Sequence, residues 1–235
     1  MSYASEVLAD SPRAWYRMDD ASGLIQDSSG NAQHANASEG AGSATYSEAG
    51  ALASDTASKS IRYTPNWRFI VADSASLDIG DVFTIEMWLK INAVPTTDSD
   101  LLSKQDNAYE LHLLSDRTIK LSKSGVSDTV TSTAAVPNDG SFHHLVAAKD
   151  GASSCKLYID NVDVTGTVTD STYADNALDL RIGGHAADFF DGWLDEVALY
   201  STALSAARVD AHWDAAQGAV AGAPILHTLR SNRRW

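Results

Sequence analysis

The sequence predicts an all-β fold, in which two antiparallel sheets pack as a sandwich and a short helix lies near the C-terminus. Short segments rich in β-branched and aromatic residues recur along the chain, and Gly, Asp, Asn and Ser turns separate them. Several of these segments alternate between apolar and polar residues, which is the pattern of a strand with one buried face. Near residue 205 the apolar spacing changes to that of a helix.

Residues 83–91 show the alternation most clearly. The apolar residues at 83, 85, 87, 89 and 91 face one way, and Thr84, Glu86 and Lys90 face the other. Trp88 is the exception, because it lies on the polar face. We expect Trp88 to pack beneath a loop or a second layer, although such a residue can also serve as a platform for a sugar.

The remaining strands are predicted in chain order from the same pattern. They cover residues 14–18, 101–104, 109–114, 119–123, 126–133, 142–149, 156–159, 162–164, 178–182 and 193–200. Asp160-Asn161 forms a two-residue hairpin turn. His143 and His144 are adjacent on one strand, so they point to opposite faces and cannot chelate one metal together.

The last predicted strand, residues 193–200, contains an unusual carboxylate. Strict alternation places Trp193, Asp195, Val197 and Leu199 on one face, which the apolar side chains identify as the core face. An unpaired charge on such a face is unfavourable. We therefore expect Asp195 to meet a cation or several hydrogen-bond donors.

The helix after residue 205 closes the folded body. Ser205 is a good N-cap, and Val209 and Trp213 are four residues apart on one face. We expect the domain to cover residues 1–214, and residues 215–235 to form an Ala/Gly linker and a basic, apolar tail. The tail is predicted to bind a partner, either other subunits of a particle or a second copy of this chain, through Ile225, Leu226, Leu229, Arg230, Arg233, Arg234 and Trp235.

Composition excludes several classes of function. The chain has 235 residues, of which 17 are basic and 31 acidic, so its net charge is −14. This charge argues against nucleic-acid binding and against an anionic membrane surface. Because Cys155 is the single cysteine, no intrachain disulfide can form, and we predict that Cys155 is a half-buried strand residue. No secretory leader or bilayer-spanning segment is recognised, so synthesis in a cytoplasm is expected.

Residues 27–31, Asp-Ser-Ser-Gly-Asn, lie in a loop-rich region between Gly23 and Gly50. These residue types form side-chain-to-backbone turns. They also supply oxygen ligands at the close spacing that Ca²⁺ requires. Both interpretations are open from the residues alone.

Several of these segments together resemble the laminin-G-like branch of the concanavalin A-like lectin/glucanase superfamily. They are residues 14–19, 27–31, 83–91, 101–104, 142–144, 157–160, 182–184, 192–197 and 204–205. The resemblance extends over about residues 5–215. It implies a jelly-roll sandwich with a short helix near its end.

The resemblance also implies a calcium site in many members. On this chain the ligands would be Asp27, Asn31 and Asp195, and the cofactor would be Ca²⁺. The run from Ala32 to Ala35 departs from the family pattern, which has glycines there. The opening residues 3–23 resemble laminin-G-like proteins of tailed bacteriophages, where such domains belong to the virion.

Three classes of function are candidates: an enzyme, a virion structural protein and a glycan-binding adhesin. An enzyme on this fold needs two carboxylates on one face, whereas Asp195 and Glu196 are adjacent and point apart, so we expect no catalysis. A virion structural or decoration protein, anchored by the tail and located in the particle, is the first expectation, with a cytoplasmic protein as the alternative location. A glycan-binding adhesin is the alternative function, and its ligand-binding candidates are the loop aromatics Trp67, Phe189 and Phe190, with Tyr173. Of the two adjacent phenylalanines, one is expected to pack inward and the other to be exposed.

Overall fold

The computed structural model describes residues 1–38, 41–169 and 171–218. Within them the chain forms eighteen strands and two helices. In chain order these are α1 (Tyr3–Ala9), β1 (Ala14–Tyr16), β2 (Leu24–Ile25), β3 (Ala35–Ser38), β4 (Ala44–Ala49), β5 (Lys59–Tyr63), β6 (Arg68–Val71), β7 (Val82–Ile91), β8 (Ser99–Ser103), β9 (Tyr109–Leu113), β10 (Ile119–Lys123), β11 (Ser127–Thr131), β12 (His143–Asp150), β13 (Cys155–Ile159), β14 (Val162–Asp163), β15 (Leu180–Ile182), β16 (Gly184–His185), β17 (Asp188–Phe189), β18 (Gly192–Tyr200) and α2 (Ala206–Gln217).

The strands form two antiparallel sheets, which confirms the predicted sandwich with its short C-terminal helix. Sheet A has the order β14-β13-β12-β7-β18-β5-β4, and β1 pairs with β18 beside β5. Sheet B has the order β11-β10-β9-β8-β15-β6-β3-β2, and the short hairpin β16-β17 joins it at β8. In both sheets, strands that are distant in sequence are hydrogen-bonded neighbours, so early and late parts of the chain belong to the same sandwich.

The main apolar core lies between the two sheets. Strand β7 contributes Phe83, Ile85, Met87 and Leu89, all fully buried, from alternate positions as the sequence predicted. Sheet B faces them with Leu111 of β9 and equivalent residues of its other strands. Burial of each such side chain stabilises the fold by about 1.5–3 kcal/mol.

A second apolar cluster covers the outer face of sheet A. Helices α1 and α2 pack there, and Trp88 lies beneath them at 1 % exposure. The ring of Trp88 stacks on Trp213 of α2 at 5.5 Å between centroids and on His144 of β12 at 4.8 Å. The prediction that Trp88 packs under a second layer is confirmed.

A buried carboxylate joins both helices to this sheet. Glu86 of β7 accepts hydrogen bonds from the hydroxyls of Tyr3 (3.1 Å) and Tyr200 (2.8 Å). The ring nitrogens of His144 and His212 lie 2.8 Å and 2.9 Å from its oxygens. Tyr3 belongs to α1 and His212 to α2, so one side chain on the central strand connects the two terminal helices.

The charges around Glu86 are matched within the same layer. Burial alone would raise the pKa of Glu86, but His212 and His144 hold it well below its usual value. Burial would lower the pKa of His212, but Glu86 and then Asp10 raise it. Arg208 of α2 bonds Asp10 and Glu6, which extends the network to the surface.

A β-bulge in β18 overturns the predicted facing of Trp193 and Asp195, whereas Val197 and Leu199 face the core as predicted. The register with β7 shifts between Asp195 and Ala198, and Glu196 has a φ of 50°. The alternation therefore changes phase inside the strand. Leu194, Val197 and Leu199 point into the core between the sheets, whereas the prediction placed Trp193 and Asp195 there in place of Leu194.

The ends of the folded body also differ from the prediction. Helix α1, strands β2 to β6 and the short hairpin β16-β17 were not anticipated. Helix α2 continues to Gln217 with Ala215 and Ala216 buried, so the predicted linker does not begin at residue 215. The tail residues 225–235 lie outside the described residues. In the described ranges neither helix has the length and apolar character needed to cross a bilayer.

We expect Glu86→Gln to destabilise the chain strongly, because it removes the buried negative charge that faces His212 and the carboxylate that accepts from Tyr3 and Tyr200. Loss of one partner from a buried charge pair costs roughly 3–5 kcal/mol, which lowers Tm by roughly 10 °C in a domain of this size. Thermal unfolding followed by circular dichroism measures this. Glu48→Gln on β4 is the matched control, since Glu48 is only half-buried.

The difference should depend on pH. The lowered pKa of Glu86 stabilises the fold above its unfolded value of 4.5, and this contribution is lost as pH falls. The raised pKa of His212 stabilises the fold below 6.5 and is lost as pH rises through its folded value. The Tm difference should therefore be greatest between about pH 4.5 and 6.5. Equal melting of Glu86→Gln and wild type would contradict this account.

Candidate functional site

The outer face of sheet B is the candidate site, because both helices cover sheet A and neither packs on sheet B in the described part of the chain. Its strands place a row of polar side chains outward while their alternate residues fill the core. Tyr109, Leu111 and Leu113 of β9 point inward, so Glu110 and His112 point outward. The pairing of β9 with β8 and β10 sets Asp100, Lys120 and Ser122 beside them.

His112 connects two carboxylates at the middle of this face. Its Nδ1 lies 2.7 Å from Asp100 Oδ1. Its Nε2 lies 2.8 Å from Ser122 Oγ and 3.6 Å from Glu110 Oε2. Ser103 Oγ donates to Glu110 Oε1 over 2.8 Å. The five side chains form a continuous polar network on the outer side of sheet B, and all five residues are at most 9% exposed.

The protonation of this network follows from its contacts. Burial would lower the pKa of His112, but Asp100 and Glu110 outweigh it and raise that pKa to about 9. His112 is therefore an imidazolium cation at neutral pH. Burial would raise the pKa of Glu110, yet hydrogen bonds from His112, Ser124 and Ser103 lower it. Asp100 has a raised pKa, because burial outweighs its contact with His112.

A shallow depression of about 430 Å³ lies next to this network. Its lining includes Glu110, His112, Lys120, Ser122 and Asp128. Lys120 Nζ lies 2.9 Å from Asp98 and 3.5 Å from Asp128, so the rim is tied by ion pairs. The depression is polar and open, as expected for binding a hydroxyl-rich molecule rather than an apolar one.

Arginine and aromatic side chains form the other end of the face. Arg68 of β6 and Arg181 of β15 both point outward, because Phe69 and Ile182 fill the core. The guanidinium of Arg68 lies 5.7 Å from the ring centroid of Phe189. Arg181 Nη1 donates to Gln105 Oε1 over 3.1 Å.

The loop that presents Gln105 is held in an uncommon conformation. Gln105, Asp106 and Asn107 all have positive φ, between 38° and 69°. Asn176 Nδ2 donates to the carbonyls of Lys104, Gln105 and Asp106, which secures the turn. Such conformations persist where surrounding contacts impose them, and they cluster at binding sites.

The structure separates the predicted ligand-binding aromatics. Phe189 is half-buried on the face of sheet B. Phe190 is buried in the core at 1 % exposure, and Tyr173 is buried with its hydroxyl 2.7 Å from Thr129. Trp67 lies at the core margin, edge-on to Phe69 at 6.3 Å. Of the four, Phe189 alone reaches the candidate site, and the predictions for Phe190 and Tyr173 are wrong because both fill the core.

The lone pairs of Asp27 are taken by protein donors. Its Oδ1 accepts from the amides of Trp15 and Ser29, each at 2.9 Å. Its Oδ2 accepts from Ser29 Oγ at 2.8 Å and the Gln33 amide at 2.9 Å. A carboxylate oxygen offers about two acceptor sites. Asp27 therefore has no free site for a cation and instead holds the turn together.

The other two predicted calcium ligands lie in separate networks. Asn31 Nδ2 donates to the carbonyls of Pro12 and Arg13. Asp195 Oδ2 accepts from the Ala51 amide and Ser58 Oγ, and its Oδ1 is buried without a partner. Strand β1 lies between Asp27 and β18, because Tyr16 of β1 pairs with both.

The three residues therefore do not fit one calcium site. In the described ranges no group of three or more His, Cys, Asp or Glu side chains is arranged to hold a metal. Asp195 and its neighbour Glu196 are instead held toward their neutral forms. Burial raises the pKa of Asp195 to about 7 and that of Glu196 well above its usual value.

Four residues of the candidate site were not predicted, although the sequence contains one indication of where they lie. Glu110 and His112 alternate with apolar residues, as do Lys120 and Ser122, so each pair shares a strand face. The sequence does not reveal which strands pair. Without that pairing, these residues could not be placed beside Asp100 or Arg181.

We expect Asp195→Asn to become more stable relative to wild type as pH rises. The cost of ionising the buried Asp195 grows from its unfolded pKa of 3.8 and is complete above its folded value of about 7. The asparagine keeps an oxygen for Ala51 and Ser58 but carries no charge. Thermal melts between pH 5 and 8 measure the trend. Asp116→Asn is the control, because Asp116 is exposed and hydrogen bonds from Thr118 lower its pKa, so its variant should show no trend over this range.

The same melts test calcium. Because Asp27 has no free acceptor site, we expect Tm to be equal in Ca²⁺ and in EDTA. A calcium-dependent rise in Tm that disappears in Asp195→Asn would restore the shared site that the resemblance implied.

Solved structures share this fold at low identity. The binding domain of Paraclostridial Mosquitocidal Protein 1 matches with a TM-score of 0.65 and 18% identity, over 88% of this chain and 52% of that one. Domain 4 of AbnA, an extracellular arabinanase from Geobacillus stearothermophilus, in complex with arabinotriose, matches with a TM-score of 0.60 and 18% identity, over 86% and 97%.

A third match is a structure of botulinum neurotoxin type C, whose cell entry is described as dependent on two ganglioside molecules. Its TM-score is 0.65 and its identity 14%. The match covers 92% of this chain and 53% of the neurotoxin chain. The chain thus spans about half of each of the two toxin structures, and these likenesses show the fold alone.

No curated protein sequence matches the chain. A family model described as the concanavalin A-like lectin/glucanases superfamily matches residues 66–210, which is more than half of the chain. The match includes the strands that carry Arg68, His112 and Arg181 as well as β18. The chain belongs to the concanavalin A-like lectin/glucanases superfamily.

Proposed function

We propose that this chain is a glycan-binding module and that the outer face of sheet B carries its binding surface. The observation that carries the proposal is the polar network on that face, where Asp100, Glu110, His112 and Ser122 lie side by side beside an open depression. Hydrogen-bonding groups fixed on a rigid sheet suit hydroxyl-rich ligands, because binding then requires little reordering of side chains.

An aromatic ring completes the surface. Phe189 is held on the hairpin β16-β17, where Gly184 allows close approach: a Cβ at that position would lie 2.4 Å from a ring carbon of Phe189. Half-buried rings offer an apolar surface for the C–H groups of a sugar, while neighbouring polar groups meet its hydroxyls.

Two of the structural relatives support the proposal. The AbnA domain was solved with arabinotriose, and the botulinum neurotoxin structure is described by its interaction with gangliosides. Both ligands are saccharides or carry them. The shared fold makes a saccharide the first class of ligand to test, whereas the residues of the face decide which one is bound.

The arrangement favours binding over hydrolysis. A glycosidase needs two carboxylates that flank the scissile bond with space between them for the sugar and water. Here the imidazole of His112 occupies the space between Asp100 and Glu110 and contacts both. A non-catalytic module therefore remains our prediction.

The virion role stays a prediction without a supporting observation. Its anchor, the residues 225–235, lies outside the described residues, and the relatives named above are toxin domains and an arabinanase domain. Deleting residues 219–235 and measuring the oligomeric state or particle assembly would test the tail as a binding segment for other subunits or for a second copy. Location in a virion or a cytoplasm also remains a prediction.

We expect wild-type protein to be retarded in native gels that contain a soluble polysaccharide, and Phe189→Ala to lose about tenfold in affinity, as for the loss of one buried ring contact. The gels would separately hold arabinan, xyloglucan, mixed-linkage β-glucan and polygalacturonate. Phe142→Ala is the matched control, because Phe142 is a half-buried ring on the opposite sheet under Lys90.

The outcome is decisive in both directions. Retardation that is lost in Phe189→Ala and kept in Phe142→Ala assigns binding to the sheet B face. Absence of retardation in every gel, or equal behaviour of the two variants, would refute the proposal.

A further inference from the structure

Two arginines stand side by side on the open face of sheet B. Arg181 on β15 pairs with Ile70 on β6, and Arg68 lies two residues along β6 on the same face. Diagonal neighbours on antiparallel strands are about 7–8 Å apart. Their guanidinium groups can therefore converge on one small ligand.

Neither arginine has a counter-charge among the described residues. No carboxylate of that part of the chain lies within salt-bridge distance of Arg68 or Arg181, whereas Arg17, Arg62 and Lys104 each contact at least one. The Nε atoms of both Arg68 and Arg181 are buried and have no hydrogen-bond partner there. Buried N–H groups in proteins normally have a hydrogen-bond acceptor, so two without one are unusual.

The pairing of like charges is itself unfavourable. Burial first, and then the charge of Arg181, lower the pKa of Arg68. In a chain with a net charge of −14, carboxylates are abundant, yet the described structure places none against this pair. A bound anion would accept hydrogen bonds from both guanidinium groups and relieve the repulsion between them.

The carboxylates of Asp100 on β8 and Glu110 on β9 are already engaged. Asp100 and Glu110 both contact His112, as described above. Arg181 is held by Gln105, whose Nε2 donates to His185 Nδ1 over 2.5 Å. Burial, followed by the charge of Arg181, lowers the pKa of His185, so its ring is neutral at neutral pH. The arginine end of the face is thus fixed in place and positive.

We propose that Arg68 and Arg181 bind the carboxylate of an acidic sugar residue, so that the module recognises a uronate-containing polysaccharide. This inference rests on the glycan-binding function proposed above and names its ligand class. Arginine presents two parallel N–H donors that match the two oxygens of a carboxylate. Phe189, beside Arg68, would contact the apolar face of the same sugar ring.

The test uses the full chain in affinity gels with polygalacturonate, alginate and hyaluronate, each compared with its carboxyl-reduced form. We expect retardation by at least one of these polyuronates and its loss on reduction of the carboxyl groups. This comparison needs no variant. Dextran sulfate in a further gel separates recognition of a carboxylate from attraction to any polyanion.

Variants then assign the effect to the two arginines. Arg68→Gln and Arg181→Gln should each weaken polyuronate binding about tenfold, as for the loss of a charge-assisted hydrogen bond. Arg13→Gln, an exposed residue whose Nε donates to Ser201, removes the same charge elsewhere and should leave binding unchanged. Melting curves confirm that each variant is folded.

The failures are distinguishable. If a carboxyl-reduced polymer binds as well as its parent, or if Arg68→Gln and Arg181→Gln bind like wild type, the inference is overturned and glycan binding stands. If dextran sulfate alone retards the protein, carboxylate recognition is overturned. If no polysaccharide, acidic or neutral, retards the protein, both this inference and the proposed function fail.

Discussion

The buried carboxylate of Glu86 is the interaction on which the arrangement of this protein depends. Four side chains from α1, β12, β18 and α2 meet on its two oxygens, so the terminal helices are both held on the outer face of sheet A. A buried charge this well satisfied fixes one geometry, because any displacement leaves a charge or donor unpaired. The helices therefore cover one face of the sandwich and leave the outer face of sheet B uncovered in the described part of the chain.

The two ends of that open face treat charge differently. Around His112 the cation and its carboxylates neutralise each other, so this end is a fixed set of donors and acceptors. Around Arg68 and Arg181 the positive charge has no counterpart among the described residues. The face is therefore polar along its length: the charges at the His112 end cancel, and the Arg68 end carries a net positive charge. It suits a chain ligand that presents hydroxyls along its length and an acid at one position.

Metal binding illustrates how local chemistry can mislead. The aspartate loop has the residue types of a calcium site, but backbone amides and a serine hydroxyl occupy the acceptor positions of Asp27. Asp195 does have an unpartnered oxygen, yet the bulge at Glu196 turns it away from the core side that alternation assigned to it. Its burial then favours the neutral acid, which is a poor ligand for a hard cation.

The sequence predicted the class of fold, most of the strands, the helix after Ser205 and the burial of Trp88, because these follow from local periodicity and capping. It also contained the outward alternation of Glu110 and His112. Only the tertiary structure decided which strands pair, and therefore that Asp100 meets His112 and that Arg68 stands beside Arg181. It also placed Phe190 in the core and Phe189 on the surface. Neighbours in these sheets are far apart in the chain, so their contacts depend on global packing rather than on any local pattern.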